Sequence, residues 1–231
     1  ERVCLMKNYN AWVAIFIVAL FPFLTLSAKS TKEKGGKETL NLREVFANLN
    51  TPGLESISKT ARLDLADYWD ADSVHFVRTA SGGVANLEEF TKNYVRVKVS
   101  NVSTVELKIL PYKKGEIVAC VFTVGDSIQA KDSEIDFYDA SLVPIKKNRF
   151  FSAPVLSQFF AIPKGSSTAM EEIREAVPFP TVAYSLSPLT DDLTARLTVE
   201  DYISPDDLPL LNRFARKELV APWTGKYKFN N

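Results

Sequence analysis

A strand that is apolar on both faces belongs in the middle of a sheet covered above and below. Residues 116–124 form such a stretch. Ile117, Ala119 and Val121 alternate with Val118, Cys120, Phe122 and Val124. Val, Ile, Phe and Thr, which dominate it, are the types that fit a pleated, packed surface. Gly125-Asp126 supplies a residue that tolerates positive φ where the chain must reverse. Ser133, Ile135 and Phe137 then alternate with Glu134, Asp136 and Tyr138, the pattern of a half-exposed strand returning beside the first.

The rest of the chain is expected to pack onto that hairpin. Asn41 and Glu44 make a capping box ahead of Leu42, Val45, Phe46 and Leu49, which fall on one helical face. Thr51-Pro52 predicts a second helix with Leu54, Ile57, Ala61, Leu65 and Tyr68 or Trp69 inward, the two helices forming a hairpin. Strands are predicted over 74–79, 94–99 and 104–110. A register with Val97 opposite Leu107 would set Lys98 against Glu106, and leave Arg96 beside Lys108 on a face that must then be wet.

A short apolar turn is predicted at Val155–Phe160, and a helix capped by Thr168 and Glu171 with Met170, Ile173 and Val177 inward. Strands follow at 181–186 and 193–199, a short helix near Pro209 after Ser204-Pro205-Asp206-Asp207, and one or two strands over 219–229. The fold class is therefore α+β. The matching order predicts two halves, 42–146 and 147–231, each a helix pair with an antiparallel sheet, and raises structural duplication as their origin. The alternative is a single cone-shaped sheet with the helices on its concave side.

Ahead of these halves, Lys7, the apolar run over 11–24 and Leu26-Ser27-Ala28 read as a secretory signal peptide over 1–28, cleaved after Ala28. The five residues before Met6 read as upstream translation or a misplaced start. A membrane anchor is the alternative, but the run is short of the roughly 20 residues that span a bilayer. Residues 29–41 read as a flexible linker, with a basic tail on acidic lipid as the competing view. Cys120 would be the only cysteine of the processed chain, so no internal disulfide is expected. With 28 basic and 28 acidic residues and no basic stripe, a nucleic-acid partner is not expected.

Three segments, Leu42-Arg43-Glu44-Val45-Phe46-Ala47-Asn48-Leu49, Ala61-Arg62-Leu63-Asp64-Leu65-Ala66-Asp67-Tyr68-Trp69-Asp70 and Asp132-Ser133-Glu134-Ile135-Asp136-Phe137-Tyr138, together with the signal peptide, resemble the domain of unknown function 3256 family, exported proteins of Bacteroidales bacteria. The resemblance spans most of 42–160 and continues more loosely to the end. It implies export in a diderm bacterium and brings no catalytic motif with it.

The residues themselves offer few chemistries. Asp64, Asp67, Asp70 and Asp72 crowd the carboxyl end of a helix, against its dipole, with Arg62 available to offset part of the repulsion. A hard cation could sit on Asp70 and Asp72 beside His75, yet the calcium-loop spacing is absent. His75 is the only histidine and reads as a surface strand position pointing away from Val74 and Phe76. Cys120 reads as a buried structural thiol. Glu134, Asp136 and Asp139 could pair for glycoside hydrolysis, or form a solvated edge. Tyr68, Trp69 and Tyr138 read as exposed partner contacts, although for Trp69 ordinary core packing is the favoured view.

The functional expectation is a non-enzymatic, exported binding module of the cell envelope that recognises a protein, peptide or envelope component through a sheet face. No cofactor or metal and no membrane span after signal cleavage are expected. Its binding candidates are Tyr68, Trp69, Asp70, Asp72, His75, Glu134, Asp136 and Tyr138. The alternative is an envelope hydrolase using the carboxylates.

Overall fold

The computed structural model describes residues 39–113, 115–125, 130–163, 165–200, 202–216 and 218–230. The expected signal peptide, most of the expected linker and the expected turn at Asp126 lie outside the described residues. Helix α1 (Leu42–Asn48) is followed by a 3₁₀ turn (Pro52–Leu54) and α2 (Lys59–Asp70). Strands β1 (Phe76–Arg78), β2 (Val84–Phe90), β3 (Tyr94–Ser100), β4 (Ser103–Tyr112), β5 (Gly115–Val124), β6 (Asp132–Tyr138) and β7 (Pro144–Ile145) form one antiparallel sheet in sequence order. Beyond it come β8 (Phe151–Ser152), a 3₁₀ turn (Leu156–Phe159), α3 (Ser167–Ala176), β9 (Val182–Leu186), β10 (Leu193–Leu197), α4 (Leu208–Phe214), β11 (Leu219–Ala221) and β12 (Tyr227–Lys228). These add a three-stranded sheet, β11-β10-β9, and a parallel pair of β12 with β8. The class is α+β, built on three sheets and not on one cone.

The doubly apolar strand sits where its composition requires, between β4 and β6. Val118 and Cys120 face a rear core with Phe46, Leu49, Leu54, Ile57 and Leu65 from the helical layer. Ile117, Ala119 and Val121 face a front core with Phe150, Phe159, Ile173, Leu186 and Leu193 from the second half of the chain. The large sheet is thus the middle of three layers, and its centre is dry on both sides.

Local expectations hold or fail for identifiable reasons. Asn41 caps α1 by accepting from the N–H groups of Arg43 (2.9 Å) and Glu44 (3.4 Å). The predicted second helix is split. Thr51 makes no side-chain cap, and Ser58 caps α2 through a bond from Ala61 N (3.2 Å). Leu54 and Ile57 are buried as expected, but from the turn and not from a helix. In the second half, α3 begins one residue before Thr168, so Thr168 is inside the helix and not its cap.

Two departures in the sheet matter for function. Strand β2 was not expected, because Glu88-Glu89 interrupts its alternation. A bulge between Leu87 and Glu89 accommodates the interruption while Ala85 and Leu87 still face the rear core. The β3–β4 register is also offset from the expected one. Val95 opposes Leu107, Val97 opposes Val105, and Arg96 opposes Glu106. A tight turn closed by Ser100 and Ser103, whose hydroxyls lie 2.7 Å apart, fixes that register.

Candidate functional site

The β3–β4 register sets the chemistry of the front face. Arg96, Glu106 and Lys108, predicted to be wet, lie where β9 crosses the large sheet; Glu106 is 3% exposed and Lys108 1%. The reason is the free edge of β9. A strand edge presents unpaired N–H groups that need acceptors. Here side chains of the large sheet supply them: Val182 N donates to Asp132 Oδ1 (3.2 Å), Tyr184 N to Ser133 Oγ (3.0 Å) and Leu186 N to Glu106 Oε2 (2.6 Å). Glu106 also accepts from Ser185 Oγ (3.2 Å) and from Arg96 Nη1 (2.5 Å), and Arg96 Nε reaches Glu88 (2.7 Å).

Burial holds the Glu106 carboxyl above the usual carboxylate range, opposed by Arg96 and by its hydrogen bonds. Lys108 crosses the same seam and donates to the carbonyls of Ser187 (3.0 Å) and Pro188 (3.3 Å), with Asp191 3.8 Å away. Burial pushes its pKa down and Asp191 pulls it up. Every one of these groups has a protein partner. The seam therefore reads as a polar clamp between the two sheets, not as a reactive centre.

The front face beyond that clamp is open. Strands β1 to β3 carry Phe76, Val84, Asn86 and Lys98 on this side, and Phe76 is 53% and Val84 50% exposed. Together with Ser100 and Asn101 they line a shallow groove. Strand β1 is the sheet edge. Leu87 N donates to His75 O (2.7 Å) and Thr79 N to Gly83 O (3.0 Å), so the antiparallel alternation turns the backbone N–H and C=O of Phe76 and Arg78 outward. Among the described residues nothing hydrogen-bonds to them.

The other predicted site residues separate into distinct places. Asp67 and Asp70 are bridged by Arg43 from α1, which relieves the like-charge crowding at the end of α2. Arg62, expected in that role, instead caps α1 by donating to Phe46 O (2.9 Å) and Leu49 O (2.8 Å). Asp72 is exposed, at φ 48°. His75 points inward, the reverse of the expectation, because Val74 and Phe76 take the outer positions. Its ring lies against half-buried Trp69 at 4.6 Å, and its Nε2 is buried without a partner. Tyr68 remains exposed. No group of three or more His, Cys, Asp or Glu is placed to hold a metal among the described residues.

On the far side of the sheet Lys147 Nζ lies 2.8 Å from Glu134 and 3.8 Å from Asp136. Burial raises the pKa of Asp136 and Lys147 lowers it. Asp139 turns back to accept from Ser141 N (2.9 Å) and Val143 N (3.0 Å), a turn-forming role. Tyr138, expected to be exposed, is buried against the helical layer.

Cys120 is also buried, 3.7 Å from Thr51 Oγ1, and burial pushes its thiol up to about 12. With Cys4 changed to serine, the native protein should give no thiol labelling at pH 8 until it opens. The labelling rate should then rise with denaturant in step with global unfolding. Immediate stoichiometric labelling in buffer would contradict the packing.

The family model described as "Protein of unknown function (DUF3256)" matches residues 37–229. The chain belongs to the DUF3256 family. A solved structure, described as a domain of an uncharacterized protein from Porphyromonas gingivalis W83, superposes with a TM-score of 0.69 at 25% identity, covering 84% of this chain and 100% of that one. No curated protein matches. The DUF3256 fold is thus shared with a protein of a Bacteroidales genus, and neither description carries an activity. No helix among the described residues is long and apolar enough to cross a membrane.

The open groove at β1–β3 went unread in the sequence because β2 did. The alternation of Val84 and Asn86 with Ala85 and Leu87 was the signal that could have found it.

Proposed function

We propose that this DUF3256 chain is an exported, non-enzymatic binding module of a bacterial cell envelope. It takes an extended polypeptide along β1 and across the open front face. The observation that carries this reading is the exposed pair Phe76 and Val84 beside an unpaired strand edge. Backbone groups on such an edge give affinity, and alternate side chains in an adjoining groove give selectivity. Arg78 and Lys98 on the same face favour a segment that alternates apolar and acidic residues. Export is supported by the apolar run over 11–24 and its small-residue ending.

A photo-crosslinking residue at position 76 should join a partner in intact cells, and the same residue at exposed Glu172 should not. Changing Phe76 and Val84 together to serine should weaken that partner's binding by about tenfold or more while leaving the melting temperature unchanged. A partner indifferent to both changes would remove the reading. So would a hydrolytic activity lost in Glu134→Gln or Asp136→Asn with folding intact, which would favour the hydrolase. Cell fractionation with intact mass tests export, since a chain retaining 6–28 in the cytoplasm would refute it.

A further inference from the structure

A second site, separate from the β1–β3 groove, lies in the second half of the chain and shares Arg196 and Glu218 with the β9 seam. A cleft of about 410 Å³ opens between the Leu156–Phe159 turn, β10 and α4. Its walls are held by the backbone. Phe160 bridges Ala215, Ala161 N donates to Phe214 O (2.7 Å), and Arg216 N donates to Phe159 O (2.8 Å). Phe159, Phe160, Val199 and Leu211 form an apolar floor, each nearly fully buried. The volume is in the range that accepts small ligands, and an apolar floor with a few polar groups above it is how such sites are built.

The rim is unusual in its charges. Arg196, Glu200, Arg216 and Glu218 all line the cleft. None of the four has an ion-pair partner within 4 Å among the described residues. Two guanidinium groups are suited to grip a carboxylate, and two carboxylates to grip an ammonium. Asn212 adds an amide that can both donate and accept. A purely anionic amphiphile would leave the glutamates unused and meet their repulsion. A ligand carrying both charges on an apolar body matches the lining of both signs.

We propose that this cleft binds a short apolar peptide through its free termini. The carboxylate goes to the arginines, the ammonium to the glutamates, and an apolar side chain to the floor between Phe160 and Leu211. The probe is trileucine, titrated calorimetrically into the full chain beside its N-acetyl form, its C-terminal amide, and decanoate as an anionic amphiphile. Trileucine should bind, and blocking either terminus should weaken it about tenfold or more.

Arg196→Gln with Arg216→Gln should weaken trileucine but not the amide. Glu200→Gln with Glu218→Gln should weaken trileucine but not the acetyl form. These are rim positions, so each variant should keep the wild-type melting temperature, and Leu211→Ala supplies a separate test of the floor by weakening all three peptides together. No heat of binding with trileucine up to about 10 mM overturns the proposal. So does decanoate binding as tightly as the peptide and ignoring the glutamate changes, which would mark a site for anionic amphiphiles.

Discussion

Replacing Glu106 with alanine should lower unfolding stability by about 3 kcal/mol, read as a shift of the urea midpoint with little change in slope. The size follows from what is stranded. Buried Leu186 N loses its acceptor, an orphaned buried group of this kind costs about 1–3 kcal/mol, and part-buried Ser185 Oγ loses its acceptor as well. Arg96 contributes less to the loss, since it is partly exposed and keeps Glu88. Arg96→Gln should therefore cost clearly less than Glu106→Ala, and the double variant should fall short of the sum. Equal costs for the two single changes would mean that the ion pair, and not the capping of β9, governs the seam.

The same carboxyl gives a pH signature. Its folded pKa is raised by burial, so between the unfolded value and the folded one the native state binds more protons than the unfolded state. Stability contributed by Glu106 is fully present below its unfolded pKa and falls as pH rises through the folded one. The advantage of wild type over Glu106→Gln should accordingly narrow as pH is raised from about 4.5. An advantage that widens over that window would show that Arg96 outweighs burial.

Much of this architecture is legible from periodicity, and the failures share a cause. The central strand 115–124 announces itself because both its faces are apolar, a property of its own residues. The fate of Glu106 and Lys108 is not such a property. It depends on Leu186 and Ser187, some 80 positions later, arriving over them with backbone groups to satisfy. Charged residues alternating on a strand look the same whether water or another strand's edge faces them. His75 turns inward against its pattern for a related reason. The pattern Val74-His75-Phe76 suggests apolar side inward, but β1 is an edge, and there the apolar residues stand outside. That inversion at an edge is itself the mark of the open groove, and it supplies the binding surface that composition could not.

Gly53 should prove the least replaceable small residue of the helical layer. It is buried in the 3₁₀ turn that lies directly on the rear of the large sheet. A Cβ added there would stand 2.3 Å from Val105 Cγ2 and 2.7 Å from Phe122 Cδ2, closer than packed carbons approach. Both neighbours belong to the central strands β4 and β5, so the turn must lift or those side chains must leave their rotamers. Overpacking of this kind costs about 1–3 kcal/mol, and Gly53→Ala should fall in that range with Gly53→Val beyond it. The cause is contact and not backbone freedom, so making room should reverse it. Val105→Ala alone destabilises by opening a cavity, yet combined with Gly53→Ala it should recover about 1 kcal/mol relative to additivity. Lifting the turn would also uncover Thr51 and the thiol beneath it, so Cys120 in Gly53→Ala should label faster than the loss of global stability explains. A Gly53→Ala protein with an unchanged urea midpoint and a fully protected thiol would show that the helical layer does not rest on the sheet at this point.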